Sequence, residues 1–241
     1  MKNIHFFGCS FTAGDELSDD IYFPWKSECK TLEEYYEKRS NTDFDHSKYQ
    51  EDNKNKSYPS MLGGINHASN GASLKENILK IVQLINSDTL VDAIYLQIPP
   101  YLRELYIRED NSIESLMFNS IDTDTTSSYI KTKILSHSDI NFAVNDVLDL
   151  ISFDNFIRNK NINFGIISFG PELRGRQLVL YNTPFSFLNT ELNKLDLIDF
   201  KNYVFTQKSK IRYLGQHFTL EAHQHFAQVI KQHLYDKFSI T

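Results

Sequence analysis

The stretch Asn3-Ile4-His5-Phe6-Phe7-Gly8-Cys9-Ser10-Phe11-Thr12-Ala13-Gly14-Asp15 decides how the whole chain is read. Asn3 to Phe7 is a short apolar run closed by a glycine, the pattern of a buried strand. A hydroxyl directly after a first strand, flanked by glycines, sits where a turn into a helix exposes it. It also lies near the N–H groups and positive dipole end of that helix, which favour an oxyanion. Ser10 is therefore a candidate nucleophile. On its own, the same pattern also fits a turn or cap residue.

Working outward, short apolar runs recur at Ile65 to Ala68, Asp92 to Ile98 and Asn163 to Phe169. Helical periodicity fills Ser73 to Asn86, with Leu74, Ile78, Ile81, Val82 and Ile85 on one face. Ser73 and Glu76 form a capping box at its start. Further helices are expected from about Ser138 to Asn159 and from about Leu220 to Lys237, the last capped by Thr219. Strands alternating with helices imply right-handed crossovers and a mainly parallel α/β sheet covered on both faces. Ligands bind such sheets at the carboxyl ends of the strands, so the loops after Phe7, Ala68, Ile98 and Phe169 carry the interest. Three segments break the alternation. Residues 31–56 are polar and of mixed charge, read as a helical start and then a solvated insertion, either a disordered surface loop or a lid. Residues 107–135 read as irregular, and Leu188 to Phe200 as a short helix or turns.

Composition narrows the function classes. The chain has 241 residues, with 25 Lys plus Arg against 31 Asp plus Glu and a net charge of −6. An acidic chain lacks the basic surface that nucleic-acid binding needs. No apolar run approaches the ~20 residues of a membrane helix. Ile4 to Phe7, interrupted by His5, is too short for a signal core, so a cytoplasmic location is expected. Two cysteines make no disulfide scaffold.

Two more segments carry chemistry. Asn66-His67-Ala68-Ser69-Asn70-Gly71-Ala72-Ser73 follows the second strand, and Gly71 permits close backbone approach to a substrate. His217 precedes the last helix, where a neutral imidazole is able to take a serine proton. His223 and His225, on that helix, read as structural or solvent-facing. No acidic or cysteine partner stands at zinc spacing, so no metal is expected.

Together these blocks resemble the SGNH hydrolases, also called GDSL-type esterases or lipases. The family's first block, Gly-Asp-Ser-x-Thr-x-Gly, is matched by Gly8 to Gly14 with Cys9 in the Asp position. The second is matched by Asn66, Ala68, Gly71 and Ser73. The last is matched by His217 and His223. The resemblance implies a three-layer flavodoxin-like fold with about five strands, in one domain spanning residues 1–241. It implies Ser10 as nucleophile and His217 as general base. The N–H groups of Ser10 and Gly71 would hold the oxyanion in hydrolysis of a small-molecule or carbohydrate ester, without a cofactor. Cys9 is the rival nucleophile, but neighbouring residues at a strand end point opposite ways.

Two departures stand out. The family's Gly-x-Asn-Asp block should follow the third strand, where Gln97-Ile98-Pro99-Pro100 stands instead. Gln97 or Arg103 is then the candidate oxyanion donor, with Arg103 and Asn70 as substrate or support residues. The family acid three residues before the histidine is replaced by Leu214. Asp15, Asp199 and Glu221 are substitutes, without preference among them. Loss of an orienting acid costs about 10⁴ in turnover in an unrelated triad, so this departure bears directly on activity.

Overall fold

The structure is a computed structural model that describes residues 3–99, 103–107, 113–117, 139–207 and 217–240. The first strand, β1 (Ile4–Phe7), lies inside the sheet because every one of its side chains is apolar or buried. It pairs in parallel with β2 (Ile65–Asn66) on one side and β3 (Ala93–Gln97) on the other. Beyond β3 lie β4 (Asn163–Ser168) and β5 (Leu197–Asp199), again parallel. The order β2-β1-β3-β4-β5 is the flavodoxin-like order. The chain leaves β1 toward one edge and returns on the other side, so the crevice opens at the carboxyl ends of β1 and β3.

Strand side chains alternate between two cores, as a period of two requires. Ala93 and Tyr95 face one layer with Phe6, Phe169, Phe226 and Ile230. Ile94 and Leu96 face the other with Phe7, Leu74, Ile81 and Val147. The expected helices are present as Leu74–Ile85, Asp139–Asn159 and Leu220–Phe238. Ser73 Oγ accepts from Glu76 N at 3.1 Å. Thr219 Oγ1 accepts from Ala222 N at 3.4 Å.

The departures have physical reasons. In the stretch Leu188 to Phe200, read as a short helix or turns, the helix Phe187–Leu192 agrees with that reading and the fifth strand, Leu197–Asp199, was not foreseen. A helix at Pro171–Tyr181, opened by proline at its first position, was not anticipated. The strands Arg103–Ile107 and Ile113–Met117 form an antiparallel pair where irregular chain was expected from residue 107. The remainder of 107–135 falls outside the described residues.

The insertion departs most from expectation. It forms two helices, Leu32–Ser40 and His46–Lys56, capped by the side chains of Thr31 and Asp45. No aliphatic stripe marks them because what they bury is polar and aromatic, namely Tyr35, Tyr49 and Asn53. Gly14 shows how closely they pack on the first loop. It adopts φ 80°, and a Cβ there would lie 2.8 Å from the backbone oxygen of Asn53.

His223 ties the last helix to the middle of the chain. Its Nδ1 accepts from the backbone N–H of Tyr58 at 3.2 Å, and the two rings stack. Burial, with His217 nearby, pushes its pKa down to about 3. Burial, the adjoining His5 and two lysines lower His67 to about 4. Unfolded histidine binds a proton below about 6.5, whereas folded His223 stays neutral down to about 3. Stability is therefore full above pH 6.5 and is lost as pH falls through that window, at up to ~1.4 kcal/mol per pH unit. Urea unfolding at pH 7.5 and pH 5 is expected to show this loss, and the loss is expected to shrink in His223→Asn. An unchanged pH dependence in the variant would remove His223 as its source.

Candidate active site

The first loop places Cys9 and Ser10 differently. Cys9 is fully buried, and both its backbone N–H (3.0 Å) and its thiol (3.1 Å) are directed at Gln97 Oε1. Ser10 opens the single-turn helix Ser10–Ala13 and retains 9% exposure. The Cys9 sulfur is thus buried in the loop with Gln97 Oε1 as its partner.

His217 arrives from the far end of the chain, just ahead of the last helix. Its ring packs against Phe11, 5.5 Å between centroids, which sets it beside the turn that carries Ser10. Its Nδ1 lies 2.7 Å from Glu16 Oε1. Its Nε2 lies 3.8 Å from Asp15 Oδ2. A carboxylate on Nδ1 fixes the proton there and leaves Nε2 as the basic nitrogen. Among the described residues the Ser10 hydroxyl makes no hydrogen bond. In ligand-free sites the nucleophile–base contact is often long and tightens when substrate binds.

Glu16 is therefore the acid that orients His217. It is 1% exposed and has φ 71°. A non-glycine residue in that region carries strain on the order of 1 kcal/mol or more, and the surroundings must hold it there. They do so through a buried ionic cluster. Lys26 Nζ reaches Glu16 Oε2 at 3.2 Å and Asp19 Oδ2 at 2.6 Å. Tyr35 donates to Asp19 at 2.7 Å. Tyr49 Oη lies 2.7 Å from Asp19 and 3.2 Å from Asp15, and accepts from the Glu16 N–H at 3.2 Å. Arg39 donates to both tyrosine oxygens and pairs with Asp15 at 3.5 Å. Burial and the neighbouring carboxylates push both phenols upward, so they remain donors.

Charge balance follows from the count. Asp15, Glu16 and Asp19 carry three negative charges against the two positive charges of Lys26 and Arg39. The cluster keeps one negative charge, and His217 is the group facing it. An imidazolium formed at His217 would neutralise a charge already present rather than bury a new one.

The second block surrounds the same crevice. Asn66 is structural, donating to Thr12 O and Ser57 Oγ, each at 3.0 Å. Ser69 N donates to Gly8 O at 3.3 Å, which ties this loop to the loop that carries Ser10. Gly71 adopts φ 80° with open space on the side where a Cβ would stand. Arg103 donates to Ala72 O at 3.3 Å and so supports this loop. Gln97 is placed otherwise than expected. It is fully buried, its oxygen is taken by Cys9, and its amide donates to Ile98 O. The oxyanion-donor role does not fit that orientation, because the N–H of Cys9 requires the oxygen on its side.

Of the other acids considered, Asp199 accepts from Lys201 N at 2.8 Å and Glu221 lies in the first turn of the last helix. Leu214 lies outside the described residues. Glu16, Lys26, Tyr35, Arg39 and Tyr49 were not singled out from the sequence. The only trace of them there is the acidic run from Asp15 to Asp20 followed by a cation at Lys26. Among the described residues no group of three metal-type ligands is arranged to hold an ion, and no helix is long and apolar enough to cross a membrane.

No family model matches the chain, and no curated protein matches it. Similar solved structures include a carbohydrate esterase whose active site displays divergent catalytic and non-catalytic binding functions. It is 17% identical, with a TM-score of 0.49 over 98% of this chain and 69% of that one. A member of the lipolytic protein G-D-S-L family from Veillonella parvula is 12% identical, with a TM-score of 0.46 over 96% and 97%. A GDSL-like lipase from Bacteroides thetaiotaomicron is 11% identical, with a TM-score of 0.46 over 97% and 87%.

Tyr49→Phe removes the one O–H donor that Asp19 and Asp15 share and an acceptor of the Glu16 N–H, and is expected to lower the unfolding free energy by about 1–3 kcal/mol. Tyr181→Phe, at a position 71% exposed, serves as the control and is expected to change it little. Equal effects in urea unfolding would show the cluster to be energetically idle. By its strand order the chain has a three-layer α/β fold with a parallel five-stranded sheet of flavodoxin-like order.

Proposed function

We propose that the protein is a serine ester hydrolase that cleaves a small acyl ester, an O-acetyl group on a carbohydrate being the favoured substrate. The carrying observation is the 2.7 Å contact between His217 Nδ1 and Glu16 Oε1 beside the Ser10 turn. It restores the orienting acid that the motif lacked.

In this reading Ser10 Oγ attacks the ester carbonyl as His217 Nε2 takes its proton. The backbone N–H groups of Ser10 and Gly71 stabilise the oxyanion, with Arg103 bracing the Gly71 loop. The alkoxide leaves with the proton from Nε2, giving an acyl-Ser10 intermediate. Water, deprotonated by the same nitrogen, then releases the acid and regenerates Ser10. Glu16 keeps its charge throughout and stabilises the imidazolium. Transfer of the acyl group to another alcohol uses the same steps, with the alcohol in place of water.

A second reading, ligand binding without turnover, draws on the Ser10 hydroxyl making no hydrogen bond among the described residues and on Gln97 being turned from the crevice. The two are separated by experiment. A fluorophosphonate probe is expected to label the wild type and not Ser10→Ala, and a chromogenic acetyl ester to be hydrolysed. Glu16→Gln is expected to reduce that turnover by roughly 10²–10⁴ while circular dichroism stays native. Absence of both labelling and turnover in the folded wild type would overturn the hydrolase reading.

A further inference from the structure

A cavity of about 170 Å³ opens next to the proposed site, between the helix His46–Lys56 and the loop that follows β2. It is more than ten times the ~15 Å³ a single water requires. Asp15 forms part of its wall, and the same carboxylate stands 3.8 Å from His217 Nε2. Asn70 lines it too, one residue before Gly71. A substrate whose carbonyl lies between Ser10 and Gly71 therefore has this cavity within reach of its next few atoms.

The lining has an unanswered charge. Asp15 is paired with Arg39 at 3.5 Å. Lys80, close by, is answered by Glu76 at 2.6 Å and also donates to Ser69 Oγ. Lys54 is half-buried in the wall, and among the described residues its ammonium makes no hydrogen bond or ion pair. The side chains of Gln50 and Asn70, on the same lining, likewise make none. Burial and the charge of Lys80 both work against the Lys54 ammonium, lowering its pKa. A half-buried cation lacking a counter-charge, beside two free amides, is suited to an anion that arrives with a ligand.

We propose that this cavity is a subsite for an anionic substituent of the substrate, a carboxylate or a phosphate, with Lys54 as its counter-charge and Gln50 and Asn70 as donors. The substrate class would then be acylated acidic sugars rather than neutral ones. This rests on the reading of Ser10 as the reacting group, but its test does not require turnover.

In a Ser10→Ala protein, binding of acetylated glucuronic acid, acetylated glucose 6-phosphate and acetylated glucose is measured by calorimetry. At least one acidic ligand is expected to bind about tenfold more tightly than the neutral one. Which acid is preferred separates a carboxylate from a phosphate source. Lys54→Met in the same background is expected to bring the acidic-to-neutral ratio close to one, and Lys54→Arg to keep most of it. Equal binding of all three ligands, or a preference that survives Lys54→Met, would overturn the subsite. Loss of turnover in the Ser10-intact protein, with the acidic preference intact, would overturn the hydrolase reading alone.

Discussion

The hydrogen bond between His217 and Glu16 joins the two ends of the chain, and much of the local structure serves to make it possible. Glu16 occupies a left-handed backbone position and is nearly excluded from water. Neither state is favourable for an isolated glutamate. Both become tenable because Lys26, Tyr49 and the ring of His217 each engage it. Removing one partner leaves buried charge uncompensated, so the cluster is a single unit rather than a sum of contacts.

That unit gives the polar insertion a purpose. Helices Leu32–Ser40 and His46–Lys56 bring Tyr35, Arg39 and Tyr49 to the acids that follow the Ser10 turn. The second of them also supplies Lys54 and Gln50 to the neighbouring cavity. One segment thus supports the carboxylates around His217 on one side and shapes a candidate subsite on the other. The sheet contributes the fixed frame, with β1 delivering Ser10 and β3 delivering the Gln97 oxygen that holds Cys9 inward.

Much of the frame was legible in the sequence because it follows simple periodicities. The three long helices and four of the five sheet strands stand close to where apolar spacing placed them. The caps at Ser73 and Thr219 stand at the expected residues. The fifth strand, only three residues long, has too little pattern to read. The insertion was illegible for a different reason. Hydrophobic periodicity detects aliphatic burial, and these helices bury tyrosines, an asparagine and part of an arginine against carboxylates. Ser10 and His217 were singled out because they sit in ordered blocks. Glu16 was not, since an acidic run reads the same whether it is solvated or folded inward. The substitutes considered for the missing acid were Asp15, Asp199 and Glu221, whereas the carboxylate on His217 Nδ1 is Glu16, two residues past Gly14.

The tautomer of His217 tests the central claim most directly. Nitrogen-edited NMR of the wild type near neutral pH should show the neutral ring fixed with its proton on Nδ1, and Glu16→Gln should weaken or abolish that preference. A ring that carries its proton on Nε2, or whose tautomer is indifferent to Glu16→Gln, would contradict the assignment of Glu16 as the orienting acid.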